Sequence, residues 1–136
     1  MTVVLDTSFV VEYYESAAPR QQEIERWYMA MDEDFVTTPL AVAEMDHLVP
    51  RRGGDAGRTG LWSDLESGAW QVRWWADAMS ETIAIARQRP GIGLCDASLV
   101  ALAGLLRTDR IATLDTHFRT LTTREGKPFA IFPDDA

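Results

Sequence analysis

Four acidic residues occupy positions from which carboxylates can gather around a cation. Asp6 and Asp115 each follow a short apolar run with β character, Thr2-Val3-Val4-Leu5 and Arg110-Ile111-Ala112-Thr113-Leu114. Asp96 opens the apolar run 97–103, and Glu44 interrupts another, with Ala41-Val42-Ala43 before it and Met45 after it. Each has an ordinary explanation, since Asp caps helices and is favoured by the helix N-terminal dipole, and a surface Glu on a helix needs no special account. Together they say more. In a parallel sheet Asp6 and Asp115 would share the carboxyl edge, where open α/β sheets bind ligands. If Asp96 and Glu44 face the same edge, four like charges meet in one small cleft and cannot all stay ionised without cations. An all-oxygen donor set favours Mg²⁺ or Mn²⁺ over Zn²⁺.

The elements that must position these acids alternate along the chain. Strands are expected at 2–5, 35–37, 69–74, 110–114 and 129–132, with turn signals between them. Helices are expected at 9–15, 21–31, 39–49, 77–89 and 96–106. Pro39 suits a first helical turn, and Pro50 should end that helix. The Gly- and Arg-rich stretch 51–58 reads either as a flexible loop or as the start of a helix running to Ser67. Strands alternating with helices imply parallel βαβ units with right-handed crossovers. No repeat, low-complexity tract or linker divides the 136 residues, so one domain, 1–136, is expected.

Composition narrows the classes. A net charge of -8 excludes a general positive field that would grip nucleic acid, although acids that hold a metal supply part of that charge. Lys127 is the only lysine, and the arginines offer planar forks for phosphate oxygens. Arg20, Arg51, Arg52, Arg58, Arg87 and Arg89 are the candidates for phosphate contact, with solvated surface charge as the ordinary alternative. Cys95 is the single cysteine, which excludes a disulfide framework and a zinc-type cysteine pair. No leader-like segment or apolar stretch of membrane-spanning length stands out, so a reducing cytoplasm is the expected location. Trp62, Trp70, Trp74 and Trp75 crowd one third of the chain, and an interface is expected to take those the core does not.

The blocks Val4-Leu5-Asp6-Thr7-Ser8, Ala43-Glu44, Cys95 through Ala103, and Ile111-Ala112-Thr113-Leu114-Asp115-Thr116-His117-Phe118 together resemble the PIN-domain ribonucleases, and within them the VapC-type toxins of bacterial toxin-antitoxin modules. The resemblance covers nearly the whole chain, apart from 51–75. It implies a three-layer α/β sandwich with a central, mostly parallel sheet flanked by helices. Asp6, Glu44, Asp96 and Asp115 then take the places of the family's acidic quartet, with Asp6, Asp96 and Asp115 as metal ligands. Thr7, Ser8 and Thr113 match its supporting hydroxyl positions. The resemblance further implies a Mg²⁺- or Mn²⁺-dependent endoribonuclease, a homodimer, a VapB-like antitoxin that inhibits it, and DNA contact only through that antitoxin. His117 falls near the site, and Cys95 reads as a small buried residue.

Two other classes compete. A receiver- or dehalogenase-like phosphoryl-transfer domain also places an Asp after its first strand, but needs a lysine beside it, and Lys127 precedes the last strand instead. A non-catalytic interaction protein of the same fold would have no need to keep all four acids.

Overall fold

The computed structural model describes residues 1–136. Five strands, β1 (Thr2–Leu5), β2 (Asp34–Thr37), β3 (Gln71–Val72), β4 (Arg110–Ala112) and β5 (Ala130–Phe132), form one sheet in the order β3-β2-β1-β4-β5. Every pairing is parallel. Helices α1 (Thr7–Tyr13), α2 (Gln21–Ala30), α3 (Pro39–Ser67), α4 (Ala78–Gln88) and α5 (Leu94–Leu106) flank it, giving the three-layer α/β sandwich expected.

β1 lies at the centre because its side chains bury on both faces: Val3, Val4 and Leu5 are fully enclosed. Each such aliphatic contributes roughly 1.5–3 kcal/mol through burial. The strand order reverses at β1, with β2 on one side and β4 on the other. The crevice beyond the carboxyl ends of β1 and β4 is therefore a topological switch point, the usual ligand position in such sheets. Asp6 N–H donates to the Ala112 carbonyl at 3.0 Å, so the first residue after β1 is still pinned to β4.

Pro50 does not end α3. It sits in the last turns of a first arm, residues 39–53, and the break comes at Gly54, whose φ of 65° and ψ of -162° are non-helical. Proline removes only one intrahelical bond, whereas this backbone conformation turns the chain. The second arm, residues 55–67, folds back along the first: Trp62 Nε1–H donates to Asp46 Oδ1 at 2.6 Å across 16 positions. A straight helix would separate those residues by roughly 24 Å. The stretch 51–58 is thus neither loop nor plain helix start but the tip of a helical hairpin. Gly53 lets the tip close on α1, since a Cβ there would lie 2.5 Å from the Tyr14 carbonyl oxygen.

Other boundaries also moved. The third strand shrinks from 69–74 to Gln71–Val72, an exposed edge pair whose ladder continues only through Arg73 N–H to the Thr37 carbonyl. Helix α5 begins at Leu94, capped by Gly93, so Asp96 lies inside its first turn rather than at its start. β4 stops at Ala112, and an unforeseen 3₁₀ turn, Thr116–Thr120, follows Asp115. Trp70 is 1% exposed and packs in the core, while Trp62 and Trp74 stay on the surface at 54% and 39%.

Candidate metal centre

The site is built from the sheet edge outward. Asp6 caps α1 and is 4% exposed. Its Oδ2 accepts the Ser8 hydroxyl at 2.6 Å, the Thr113 hydroxyl at 2.7 Å and the Ser8 N–H at 3.4 Å. Burial raises its carboxyl above the ordinary range, outweighing the hydrogen bonds from Ser8 and Thr113 that favour the anion. Asp6 is thus a helix cap, and the oxygen that caps α1 is also fixed by two hydroxyls.

The hydroxyls are themselves held. Ser8 Oγ accepts the Leu114 N–H at 2.9 Å, and Thr113 Oγ1 accepts the Asp115 N–H at 3.0 Å. These bonds tie the segment after β4 to the start of α1. Asp115 in turn caps the 3₁₀ turn, its Oδ1 accepting the His117 N–H at 2.9 Å, and it remains exposed.

Asp96 shows most directly that the acids converge. Its carboxyl is pushed up to about 6, first by burial and then by the negative charges of Asp6, Asp115 and Glu44, with His117 opposing. It lies in the first turn of α5, where the helix dipole favours an anion, yet burial and the neighbouring charges together outweigh that effect. Glu44 stands on the first arm of α3, and Cys95 Sγ–H points to its Oε1 at 3.8 Å. Burial and the charges of Glu44, Asp6 and Asp96 push the Cys95 thiol up to about 12, so it stays a neutral, half-buried group.

Sequence reasoning missed the bonds that set α3 against α5. Thr38 and Ser98, both fully buried, share a hydroxyl–hydroxyl bond of 2.8 Å. Thr38 also caps α3 at the Ala41 N–H, 3.3 Å away, and Ser98 donates to the Cys95 carbonyl at 2.6 Å. The pair fixes where Glu44 lies relative to Asp96. The visible signal was Thr38-Pro39, read only as a helix start. Thr7, fully inside, reaches the Ala41 carbonyl at 3.5 Å and so braces α1 against α3 rather than touching Asp6 through its hydroxyl.

The carboxylates lie within electrostatic reach of one another, but no three acidic, histidine or cysteine side chains stand close enough to cage one ion between them. Asp6 and Asp115 are each held in place by hydrogen bonds, and the all-oxygen donor set suits an ion that keeps several of its waters. Mg²⁺ and Mn²⁺ fit that description.

The candidate arginines divide into two groups. Arg20 is held by Glu23 at 2.8 Å and Asp134 at 2.5 Å, Arg52 by Glu12 at 2.9 Å and Glu15 at 2.5 Å, and Arg89 donates to the Thr122 carbonyl at 2.6 Å. Arg51, Arg58 and Arg87 have no acid partner; Arg58 lies over the Trp62 ring, 5.5 Å from its centroid. Lys127 precedes β5, at the opposite edge of the parallel sheet from Asp6, where it cannot steady a phosphate on that carboxylate.

Comparisons with known proteins agree with this fold. The chain is 32% identical over 135 residues to Ribonuclease VapC26 of Mycobacterium tuberculosis, covering 96% of this chain and all of that one. Its fold matches the crystal structure of Mycobacterium tuberculosis VapC20, described as a Sarcin-Ricin loop cleaving toxin. The TM-score is 0.76 and the identity 18%, over 93% of this chain and 99% of that one. Residues 3–123 match the PIN domain. With its sheet order, its carboxyl-edge acids and these matches, the chain belongs to the PIN domain family.

Proposed function

We propose that this protein is an endoribonuclease toxin that hydrolyses RNA phosphodiester bonds with Mg²⁺ or Mn²⁺ and is silenced by a cognate VapB-like antitoxin. One observation carries the reading: burial first, and then the negative charges of Asp6, Asp115 and Glu44, push the half-buried Asp96 carboxyl up to about 6. A cleft that gathers anions at its own expense is built for cations. The 32% identity to a ribonuclease along almost the whole chain supports the substrate class.

Asp6, Asp96 and Asp115 would hold the ion directly or through water, and Glu44 either joins them or positions the attacking water. When bound, the ion supplies an activated water and relieves charge on the attacking and leaving oxygens. Ser8 and Thr113 keep Asp6 Oδ2 in one orientation, so the ligand needs little rearrangement when a cation arrives. The first turn of α5 presents Asp96 with its dipole toward the cleft. Cys95, protonated, takes no part as a nucleophile. The exposed Val72, Trp74 and Met79 supply apolar surface of the kind a homodimer covers. No helix is long and apolar enough to cross a membrane, and the expected site of action is the cytoplasm.

The test is cleavage of purified cellular RNA with Mg²⁺ or Mn²⁺ present, with EDTA, and by Asp6→Asn. Cleavage that EDTA and Asp6→Asn both abolish, with Mn²⁺ raising the melting temperature of the wild type, is the expected result. Equal cleavage in EDTA, or by a folded Asp6→Asn protein, would refute it.

A further inference from the structure

Several cations of this chain are engaged internally, by the pairs described above and by Arg110 with Glu33 and Arg119 with Asp135. The hairpin of α3 is different. Its two arms enclose a shallow cleft of about 460 Å³ lined by Ala43, Asp46, His47, Pro50, Arg51 and Arg58. Neither Arg51 nor Arg58 meets an acid, and the one acid in the lining, Asp46, is occupied by the Trp62 indole N–H at 2.6 Å. The Arg58 Nε is enclosed without a hydrogen-bond partner, its guanidinium stacked over Trp62. Trp62 is 54% exposed, so part of its ring is open to a stacking partner.

The cleft begins at Ala43, the residue beside Glu44. Glu44, His47 and Arg51 follow one another at i, i+3 and i+7, which places them along one face of the first arm, about 10 Å from end to end. A strand leaving the acids along α3 meets His47 within one turn and Arg51 one turn later, with Arg58 and Trp62 facing them from the second arm.

We propose that this face of the hairpin holds the single-stranded RNA flanking the scissile phosphate, with Arg51, Arg58 and His47 on phosphate oxygens and Trp62 as a platform for one unstacked base. The inference rests on the ribonuclease reading above and adds where the substrate is gripped. In a chain of net charge -8 the general field repels a polyanion, so affinity must come from a local patch of this kind. Stacking on Trp62 requires a base free of a duplex, which selects single strands. Apart from the Trp62 ring, a docked protein helix would find only Ala43 and Pro50 for apolar contact here.

The test reads binding apart from cleavage. In an Asp96→Asn background, fluorescence anisotropy is measured with a labelled mixed-sequence single-stranded RNA and with the same sequence as a duplex, over a series of salt concentrations. The double variant Arg51→Glu/Arg58→Glu should lower the slope of log affinity against log salt by about 1.4, two contacts at roughly 0.7 each. Trp62→Ala should weaken single-strand binding about tenfold, Trp62→Phe should keep most of it, and neither should alter duplex binding. In the cleaving protein the same changes should raise KM and leave kcat. Unchanged affinity and slope in variants that melt like the wild type would overturn the proposal. So would unchanged RNA binding together with lost capture of the antitoxin, which would make this a protein-docking face. Failure of the wild type to cleave RNA sinks the enzyme reading instead, and leaves the anisotropy result standing.

Discussion

Asp6 and Tyr14 are both polar groups drawn into the interior, and their surroundings treat them in opposite ways. The Tyr14 hydroxyl donates to Asp64 and accepts the Trp70 indole N–H at 2.6 Å, a closed chain in which each group is satisfied. Around it Tyr13 and Tyr28 meet the Trp70 ring at 5.6 and 4.8 Å between centroids. Burial and the Asp64 carboxylate push the Tyr14 hydroxyl up, so it stays neutral and does nothing but hold α1 to the hairpin. Asp6 has two hydroxyl donors and still sits above its ordinary range, beside three more acids. One end of the molecule spends its polar groups on cohesion; the other leaves buried carboxyls above their ordinary range.

The contrast breaks most visibly at Trp70. Trp70→Ala removes a fully buried indole and the donor to Tyr14, and should cost about 3–5 kcal/mol in urea unfolding. Cleavage per folded molecule at saturating metal should be unchanged. A loss of turnover beyond the unfolded fraction would show that the aromatic end also tunes the site.

Asp96→Asn should do the reverse. Cleavage should fall by about a hundredfold to a thousandfold. The melting temperature in metal-free buffer at pH 7 should stay level or rise, because one of four repelling charges has gone. A folded Asp96→Asn protein with wild-type turnover would remove Asp96 from the site. Smaller again is Thr113→Val, which deletes the hydroxyl that donates to Asp6 at 2.7 Å while keeping the shape. Titrations of cleavage against Mg²⁺ should show a half-maximal concentration about 10- to 100-fold higher, with turnover at saturation nearly intact. Unaltered metal dependence would reduce the hydroxyl to a structural bond between β4 and α1.

What the sequence disclosed follows the same division. The buried strands were legible because Val3-Val4-Leu5 and Ile111-Ala112 are short apolar runs ending near acids, and a parallel sheet leaves little else for such runs to do. Asp6 and Asp115 followed from that placement; Glu44 came from family likeness, since one exposed Glu on a helix has no periodic signal. The hairpin in α3 was not legible. Its turn depends on Gly54 at positive φ and on Gly53 approaching Tyr14, and a run with Pro50, Gly53 and Gly54 marks a break without saying which residue makes it. The Thr38–Ser98 bond was hidden for another reason: two hydroxyls 60 residues apart carry no local pattern, and only tertiary packing brings them together. The tryptophans were only half sorted, Trp70 going to the core and Trp62 to the surface, because aromatic crowding does not reveal which rings the sheet covers.

The smallest expected effect tests whether repulsion at the acid end is real in the unliganded protein. Asp96 has a carboxyl at about 6 in the fold against 3.8 for the free group, so between those values the folded state binds more protons than the unfolded chain. Stability from this group is therefore greatest near pH 4 and declines as pH rises through 6. Asp6, also raised, acts in the same direction. Glu23 and Asp135, lowered by Arg20 and Arg119, act in the opposite one, but they are surface pairs that salt screens. A two-unit shift corresponds to about 3 kcal/mol, and the solvent reaching a half-buried Asp96 reduces that to about 1 kcal/mol. In urea titrations with EDTA and 0.5 M salt, unfolding free energy should thus fall by about this much from pH 4 to pH 6.5, and Asp96→Asn should flatten the decline. Saturating Mg²⁺ at pH 7 should restore the loss in the wild type and much less of it in the variant, since a cation replaces the protons that the cleft otherwise retains. A wild-type curve that rises over this range would mean that the carboxylates are stabilised as anions by their hydroxyl partners, and that the site is no more strained than the aromatic end.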